Sequence, residues 1–225
     1  MNDQKNFRSG FVTIWGRPNV GKSTLVNAIL KQKITIVSDK PQTTRKNIKG
    51  ILNLHDSQIV FIDTPGLHIP VDSLGEYLSY QWRSSLPDTD CLLYLINPGF
   101  RALDDKTYFK DIRNFPNPVL LVVNKIDSFN DELVKKTIEE YASCFPFYET
   151  LAVSALTGEG LDRLIRTIRN LLPVHPPFFD EDQISDVYER DIVGEIIREK
   201  VWNNIYQEIP YGVEVRVETF QEQEN

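Results

Sequence analysis

The octapeptide Gly16-Arg17-Pro18-Asn19-Val20-Gly21-Lys22-Ser23 fits G-x-x-x-x-G-K-[ST], and it constrains this chain more than any other stretch. It follows an apolar run at residues 11–14 and opens a stretch of helical period at 23–31, so it must turn a strand into a helix. A chance match in a chain of this length arises about once in a hundred at average composition. The glycines let backbone N–H groups turn inward around phosphate oxygens, and the helix N-terminus aims partial positive charge at the same point. Lys22 is then placed to bridge the β- and γ-phosphates, and the Ser23 hydroxyl to ligate Mg²⁺. A glycine-rich turn that binds nothing is the competing reading, and the remaining residues decide between the two.

Short β-branched runs alternate with longer helical patterns along the chain, which is the rhythm of β-α-β units around a parallel sheet. Residues 11–14, 59–62, 91–96, 119–123 and 150–153 read as buried strands. A sixth, 46–54, is expected to pair antiparallel with 59–62 across a turn at 53–57. Helices are expected at 23–31, 73–85, 102–115, 131–144 and 161–172. In the last, Leu161, Leu164, Ile165, Ile168, Leu171 and Leu172 form one apolar stripe. The fold expected is an α/β domain with a six-stranded, mostly parallel sheet flanked by helices. Pro173, Pro176 and Pro177 end the last helix and mark a linker, which divides the chain into 1–174, a connector at 175–185, and 186–225. Beyond it, Ile192, Ile196, Ile197, Val201, Ile205 and Tyr206 make a helical stripe, and Val213, Val215 and Val217 read as a strand.

Composition removes several classes. No run approaches the roughly 18 apolar residues of a membrane span, and the polar start has no apolar stretch to act as a secretory signal, so a cytoplasmic location is expected. Cys91 and Cys144 stand in apolar surroundings without metal-ligand spacing and read as buried thiols. The net charge of −7 is unevenly spread: residues 1–50 hold ten Lys or Arg against two Asp, whereas residues 178–225 hold thirteen acidic side chains against four basic. That acidic end is an odd surface for gripping a polyanion.

Two further motifs stand in order after the first. Asp63-Thr64-Pro65-Gly66 closes the run 59–62, where a carboxylate facing the phosphate loop would hold Mg²⁺, and the Gly66 N–H would sense the γ-phosphate. Asn124-Lys125-Ile126-Asp127 follows the run 119–123. A carboxylate such as Asp127 accepts both donors of guanine, N1–H and the N2 amino group. Adenine would leave a charged oxygen unpaired at a cost of about 1 to 3 kcal/mol or more. Asn124 can reach toward the phosphate loop or the base, and the Lys125 stem can lie over the purine. Ser154-Ala155-Leu156, just after the last run, would offer a backbone N–H to the guanine O6.

With Gly16 to Leu25 (Thr24 included), Pro41-Gln42-Thr43-Thr44-Arg45, Asp63-Thr64-Pro65-Gly66-Leu67-His68 and Asn124 to Asp127 on the page, the chain resembles the Era GTPases, in the TrmE-Era-like branch of the translation-factor GTPases. Asp182-Gln183-Ile184, the run 195–200 and Ile209-Pro210-Tyr211 match as well, so the resemblance runs from about Gly10 to the end. It implies GTP and GDP as ligands, with Mg²⁺ held by Ser23, Asp63 and the first-switch threonine; Thr44 is the choice and Thr43 the fallback. Lys22, Thr44 and Gly66 would carry the chemistry. It implies a role in small ribosomal subunit maturation, binding to the 3′ region of 16S rRNA through a KH domain (type II, α+β), and in some members peripheral association with the inner membrane. A monomer is expected.

Departures matter too. Many GTPases orient the attacking water with a glutamine after the D-x-x-G glycine; here Leu67 stands there, so unassisted hydrolysis is expected to be slow, roughly 10⁻⁴ to 10⁻² s⁻¹. Asn19 matches relatives in which such an asparagine helps hold K⁺ beside the phosphates, against a plain turn-capping role. His68 matches the family without an assigned role. After Gly160 only Gly194 and Gly212 remain, so no G-x-x-G loop is present and the KH portion is expected to be incomplete, with weakened rRNA binding. The alternatives are a binding module that senses nucleotide state with incidental hydrolysis, and an ATPase on the same fold.

Overall fold

The computed structural model describes residues 6–37, 44, 47–67, 73–204 and 215–219. Six strands form one sheet: β1 (Arg8–Gly16), β2 (Ile48–Leu54), β3 (Ser57–Asp63), β4 (Cys91–Ile96), β5 (Val119–Val123) and β6 (Glu149–Ala152), in the order β2-β3-β1-β4-β5-β6. Only β2 runs antiparallel, pairing with β3 from Ile48 opposite Asp63 to Leu54 opposite Ser57. β1 pairs in parallel on both sides, with Ile14 opposite Asp63 of β3 and Gly16 opposite Leu95 of β4.

Helices cover both faces, which is why the strands read as continuous apolar runs. One face packs against α1 (Lys22–Leu30) and α5 (Leu161–Leu171). There Ile14, Leu93, Leu95 and Val122 meet Leu25, Ile29, Leu164 and Ile168. The other packs against α2 (Ser73–Ser84), α3 (Lys106–Ile112) and α4 (Asp131–Cys144), through Trp15, Leu92, Tyr94 and Leu121 against Trp82, Phe109 and Tyr141. Within β4, Cys91, Leu93 and Leu95 point to the first core and Leu92, Tyr94 and Ile96 to the second, as period two requires. The expected helix at 102–115 divides into a 3₁₀ turn, Ala102–Asp105, and the short α3. The turn forms because Asp105 is drawn into the interior, as described below. Among the described residues no helix is long and apolar enough to cross a membrane.

The proline-marked connector is a docked strap along β2 and β3. Ser9 N donates to Pro173 O and His175 N to Phe7 O. The Gln58 carboxamide, fully buried on β3, accepts from Phe178 N (2.7 Å) and Phe179 N (3.0 Å), and donates to Phe179 O (2.9 Å) and Asn53 Oδ1 (2.7 Å). Further on, Ile51 N donates to Ile184 O at 2.9 Å, Ser185 Oγ to Lys49 O at 2.8 Å, and Lys49 pairs with Asp186. The strap leads into α6 (Glu189–Asn204), whose buried Glu199 pairs with Lys33 at 2.7 Å.

The strand expected around Val213–Val217 is not seen among residues 215–217. They lie instead against α6, where a Cβ at Gly194 would meet Val215 O at 3.6 Å and Val217 Cγ2 at 3.7 Å. A lone strand without a ladder partner gains nothing from extension. Val213, Ile205, Tyr206, Ile209, Pro210, Tyr211 and Gly212 lie outside the described residues, as do His68 and Pro41, Gln42, Thr43 and Arg45.

Gln58 is the keystone of the strap, because all its hydrogen-bonding groups are spent on it or on Asn53. Gln58→Ala should therefore lower the unfolding free energy by about 2 to 4 kcal/mol in urea titration and open the 173–186 segment to limited proteolysis.

Candidate nucleotide-binding site

The C-terminal ends of β1, β3, β4, β5 and β6 lie along one edge of the sheet because those strands are parallel. The expected motifs leave from that edge, at Gly16, Asp63, Asn124 and Ser154, and the open side of such a sheet edge is where α/β folds bind ligands. The turn from β1 into α1 uses two left-handed residues, Asn19 at φ 62° and Gly21 at φ 97°. Gly21 also has no room for a side chain, because a Cβ there would collide with the Asn124 amide.

Lys22 is buried within the loop, its Nζ donating to Gly16 O at 3.0 Å and Arg17 O at 3.1 Å. Burial lowers its pKa to about 8, opposed by the Asp63 carboxylate. Asp63 is fully buried and is pushed up to about 6 by desolvation, against the hydrogen bond from Ser23 and the charge of Lys22. Ser23 Oγ donates to Asp63 Oδ2 at 2.7 Å and lies 3.1 Å from Thr44 Oγ1. Asp63 Oδ1 is buried with no hydrogen-bond partner. Two hydroxyls and a carboxylate with an orphaned oxygen are a hard-oxygen donor set that suits Mg²⁺.

The other residues of the Asp63 motif are not alike. The Thr64 hydroxyl turns away to Ile14 O at 2.6 Å, and Pro65 is buried beside it. Gly66 lies against the phosphate loop so closely that a Cβ would meet Pro18 N at 2.8 Å and Pro18 Cα at 2.9 Å. Leu67 is sealed into the second core with Trp15 and Trp82, its N–H donating to Gly16 O at 2.9 Å.

Asn124 joins three loops. Its Nδ2 donates to Val20 O at 2.8 Å, and its Oδ1 accepts from Ala155 N at 2.9 Å. Of the two directions expected for this amide, the one toward the phosphate loop is taken. The Ala155 N–H is engaged with Asn124 here. Lys125, left-handed at φ 62°, reaches over the loop to Asn19 O at 2.7 Å. Asp127 is exposed, held by Ser154 Oγ at 2.5 Å and Ser128 Oγ at 2.9 Å, and those two hydrogen bonds keep its pKa below the usual carboxylate range. Ile126 is half-buried against the second core, whereas Leu156 is exposed. Val20 is buried in the first core and Thr24 is half-buried on the first turn of α1.

Sequence reasoning did not foresee that the Arg17 side chain is turned to the buried carboxylate of Asp105, at 2.6 Å. Nothing distinguishes Asp105 from a solvated acid in the sequence, since it follows Asp104 in a polar stretch. The hydroxyl of Ser154, expected only as a backbone contributor, is the principal support of Asp127.

Asn124→Ala would orphan Ala155 N in the interior and take one donor from Val20 O. It is expected to cost the nucleotide-free chain about 2 to 4 kcal/mol of stability by chemical denaturation, apart from any effect on ligand.

Comparison with known proteins extends these observations. The family model described as 50S ribosome-binding GTPase matches residues 11–125. The GTPase Era of Geotalea uraniireducens is 46% identical over 97% of this chain and 74% of its own length. That of Clostridium botulinum is 45% identical over 97% and 75%. Among solved structures, Era in complex with MgGDPNP and nucleotides 1506–1542 of 16S ribosomal RNA aligns with a TM-score of 0.85 at 38% identity, covering 91% of this chain and 70% of that one. An Aquifex aeolicus Era variant bound to GDP and AlF₄⁻ aligns equally well. The translation elongation factor SelB of Methanococcus maripaludis, at 20% identity and a TM-score of 0.58, shares the fold.

Proposed function

Because this chain belongs to the Era family of GTP-hydrolysing proteins, we propose that it is a slow guanine-nucleotide switch acting in maturation of the small ribosomal subunit. One observation carries the reading: the phosphate loop, Asp63, Asn124, Asp127 and Ser154 stand along one edge of the sheet, tied together by hydrogen bonds from Ser23, Asn124, Lys125 and Ser154.

In this reading the N–H groups of Asn19 to Thr24, beyond Pro18, which has none to give, surround the α- and β-phosphates. Lys22 exchanges two backbone carbonyls for phosphate oxygens, which restores a charged partner to a desolvated ammonium. Ser23, Thr44 and Asp63 would hold Mg²⁺, which offsets the charge that develops on the β- and γ-phosphate oxygens. The Gly66 N–H reports on the γ-phosphate. Asp127 accepts guanine N1–H and N2–H together, with Asn124 and Lys125 fixing the loop beneath the base. In hydrolysis, a water oxygen attacks the γ-phosphorus in line while the bond to the β–γ bridging oxygen breaks, releasing GDP and phosphate. With Leu67 withdrawn into the core, no side chain at that position orients the water, so the unassisted step is slow.

The partner proposed is the 3′ region of 16S rRNA, supported by the related Era solved with nucleotides 1506–1542 of that RNA. Peripheral membrane association and a monomeric state belong to the same family-based reading, as does the division at the strap between a G domain and an RNA-binding unit. Single-turnover GTP hydrolysis, measured with and without small subunits, tests the switch: stimulation is expected, and indifference would leave a nucleotide-sensing module instead.

Two finer outcomes follow. Guanine is gripped by ionised Asp127, so GDP affinity should persist on acidification through the ordinary carboxylate range. Ser154→Ala, by removing the larger support of that ionised form, should move the acid fall-off to higher pH in a calorimetric titration series. With Asn19 exposed in the loop and proposed to help hold K⁺, hydrolysis should be faster in KCl than in NaCl at equal ionic strength, and equal rates would remove that assignment.

A further inference from the structure

Besides Asp63, one other aspartate among the described residues is fully buried: Asp105, at the end of the 3₁₀ turn before α3. Its Oδ1 accepts from Arg17 Nε and Nη2, both at 2.6 Å, and its Oδ2 accepts from Tyr141 Oη at 2.6 Å. Tyr141 is itself fully buried on α4, and burial, followed by the Asp105 charge, raises its phenol pKa, so the hydroxyl remains a donor. The turn carrying Asp105 is fastened to the same helix, since Ala102 N donates to Glu140 Oε1 at 2.8 Å and Gly99 N to Thr137 Oγ1 at 3.0 Å. The Arg17 guanidinium lies 5.5 Å from the Phe100 ring centroid.

A carboxylate taken out of water holds its cation firmly, because losing it would leave a desolvated charge without compensation. Arg17 is therefore not a free second cation at the phosphate edge. Its side chain is anchored to the 3₁₀ turn and, through Tyr141, to α4, while its carbonyl receives Lys22 Nζ at 3.1 Å. The ascending half of the phosphate loop thus has a fixed point outside itself, and a loop fixed before binding loses less entropy when phosphate arrives.

We propose that Asp105, supported by Tyr141, is a positioning residue of the phosphate loop. Acting through the Arg17 side chain, it sets how tightly the β-phosphate of a guanine nucleotide is held. The inference rests on the reading of this loop as the phosphate site and deepens it: the loop's affinity is governed partly from the 3₁₀ turn before α3 and from α4, on the face of the sheet opposite α1.

The test compares GDP with GMP, which occupies the base site but has no β-phosphate. Dissociation constants for both, obtained by calorimetry or by competition against a fluorescent GDP, are measured for the unmodified chain and for Asp105→Asn, Tyr141→Phe and Arg17→Lys. Asp105→Asn should weaken GDP about tenfold and Tyr141→Phe about threefold, with GMP, which offers the loop only an α-phosphate, weakened clearly less. Arg17→Lys, which keeps the charge but not the two-pronged contact, should fall between unmodified protein and Asp105→Asn. Tyr141→Phe leaves the Arg17–Asp105 pair intact, and it decides the matter if Asp105→Asn does not fold. Equal losses of GDP and GMP would reduce the cluster to general support of the fold, and unchanged GDP affinity in folded variants would overturn the inference outright. Failure of the unmodified chain to bind GDP would instead sink the nucleotide reading itself, and the inference with it.

Discussion

The parallel pairing of β1 on both of its edges is the constraint from which the rest follows. With Ile14 set opposite Asp63 and Gly16 opposite Leu95, the Gly16–Ser23 loop and the buried Asp63 carboxylate must emerge side by side. Continuation of the parallel ladder through β5 and β6 delivers Asn124 and Ser154 to the same edge. Strand ends so placed need only short polar ties between loops, and the Asn124 amide and Lys125 ammonium supply them.

That geometry explains why so much was legible in the residues. Buried parallel strands read as unbroken apolar runs, so β4 and β5 matched at both ends, and the alternation of strand and helix fixed the sheet. The G-x-x-x-x-G-K-S and N-K-I-D motifs carry their chemistry in backbone shape and residue type, both of which survive in a bare sequence. What escaped depends on long-range pairing. Asp105 and Gln58 look like surface polar residues until the chain folds Arg17 and the 178–179 backbone against them, and local composition contains no trace of either event. The docking of the connector along β2 and β3 is hidden for a related reason. Prolines announce the end of a helix, but they do not say whether the following chain is free or lies along a neighbouring strand.

Polar groups in the interior are used here to place backbone rather than to add net stability. Lys22, Asp63 and Asp105 are all desolvated at some cost, and each is held close to a loop that must take one shape. The apolar cores on the two faces of the sheet offset that cost, each a continuous cluster of buried side chains, with Trp15 and Tyr94 in one and Ile14 and Leu164 in the other.

The docked strap has one more consequence. β2 is an edge strand of seven residues, and unpaired edge amides invite any passing extended chain to add itself to the sheet. By giving Ile51 N its acceptor at Ile184 and bridging Gly50 to Ser185, the strap occupies part of that border with the protein's own backbone. At the opposite margin β6 is only four residues long. The sheet is therefore guarded at one border by occupancy and at the other by brevity, and the strap that leads into α6 also keeps neighbouring molecules from pairing with it.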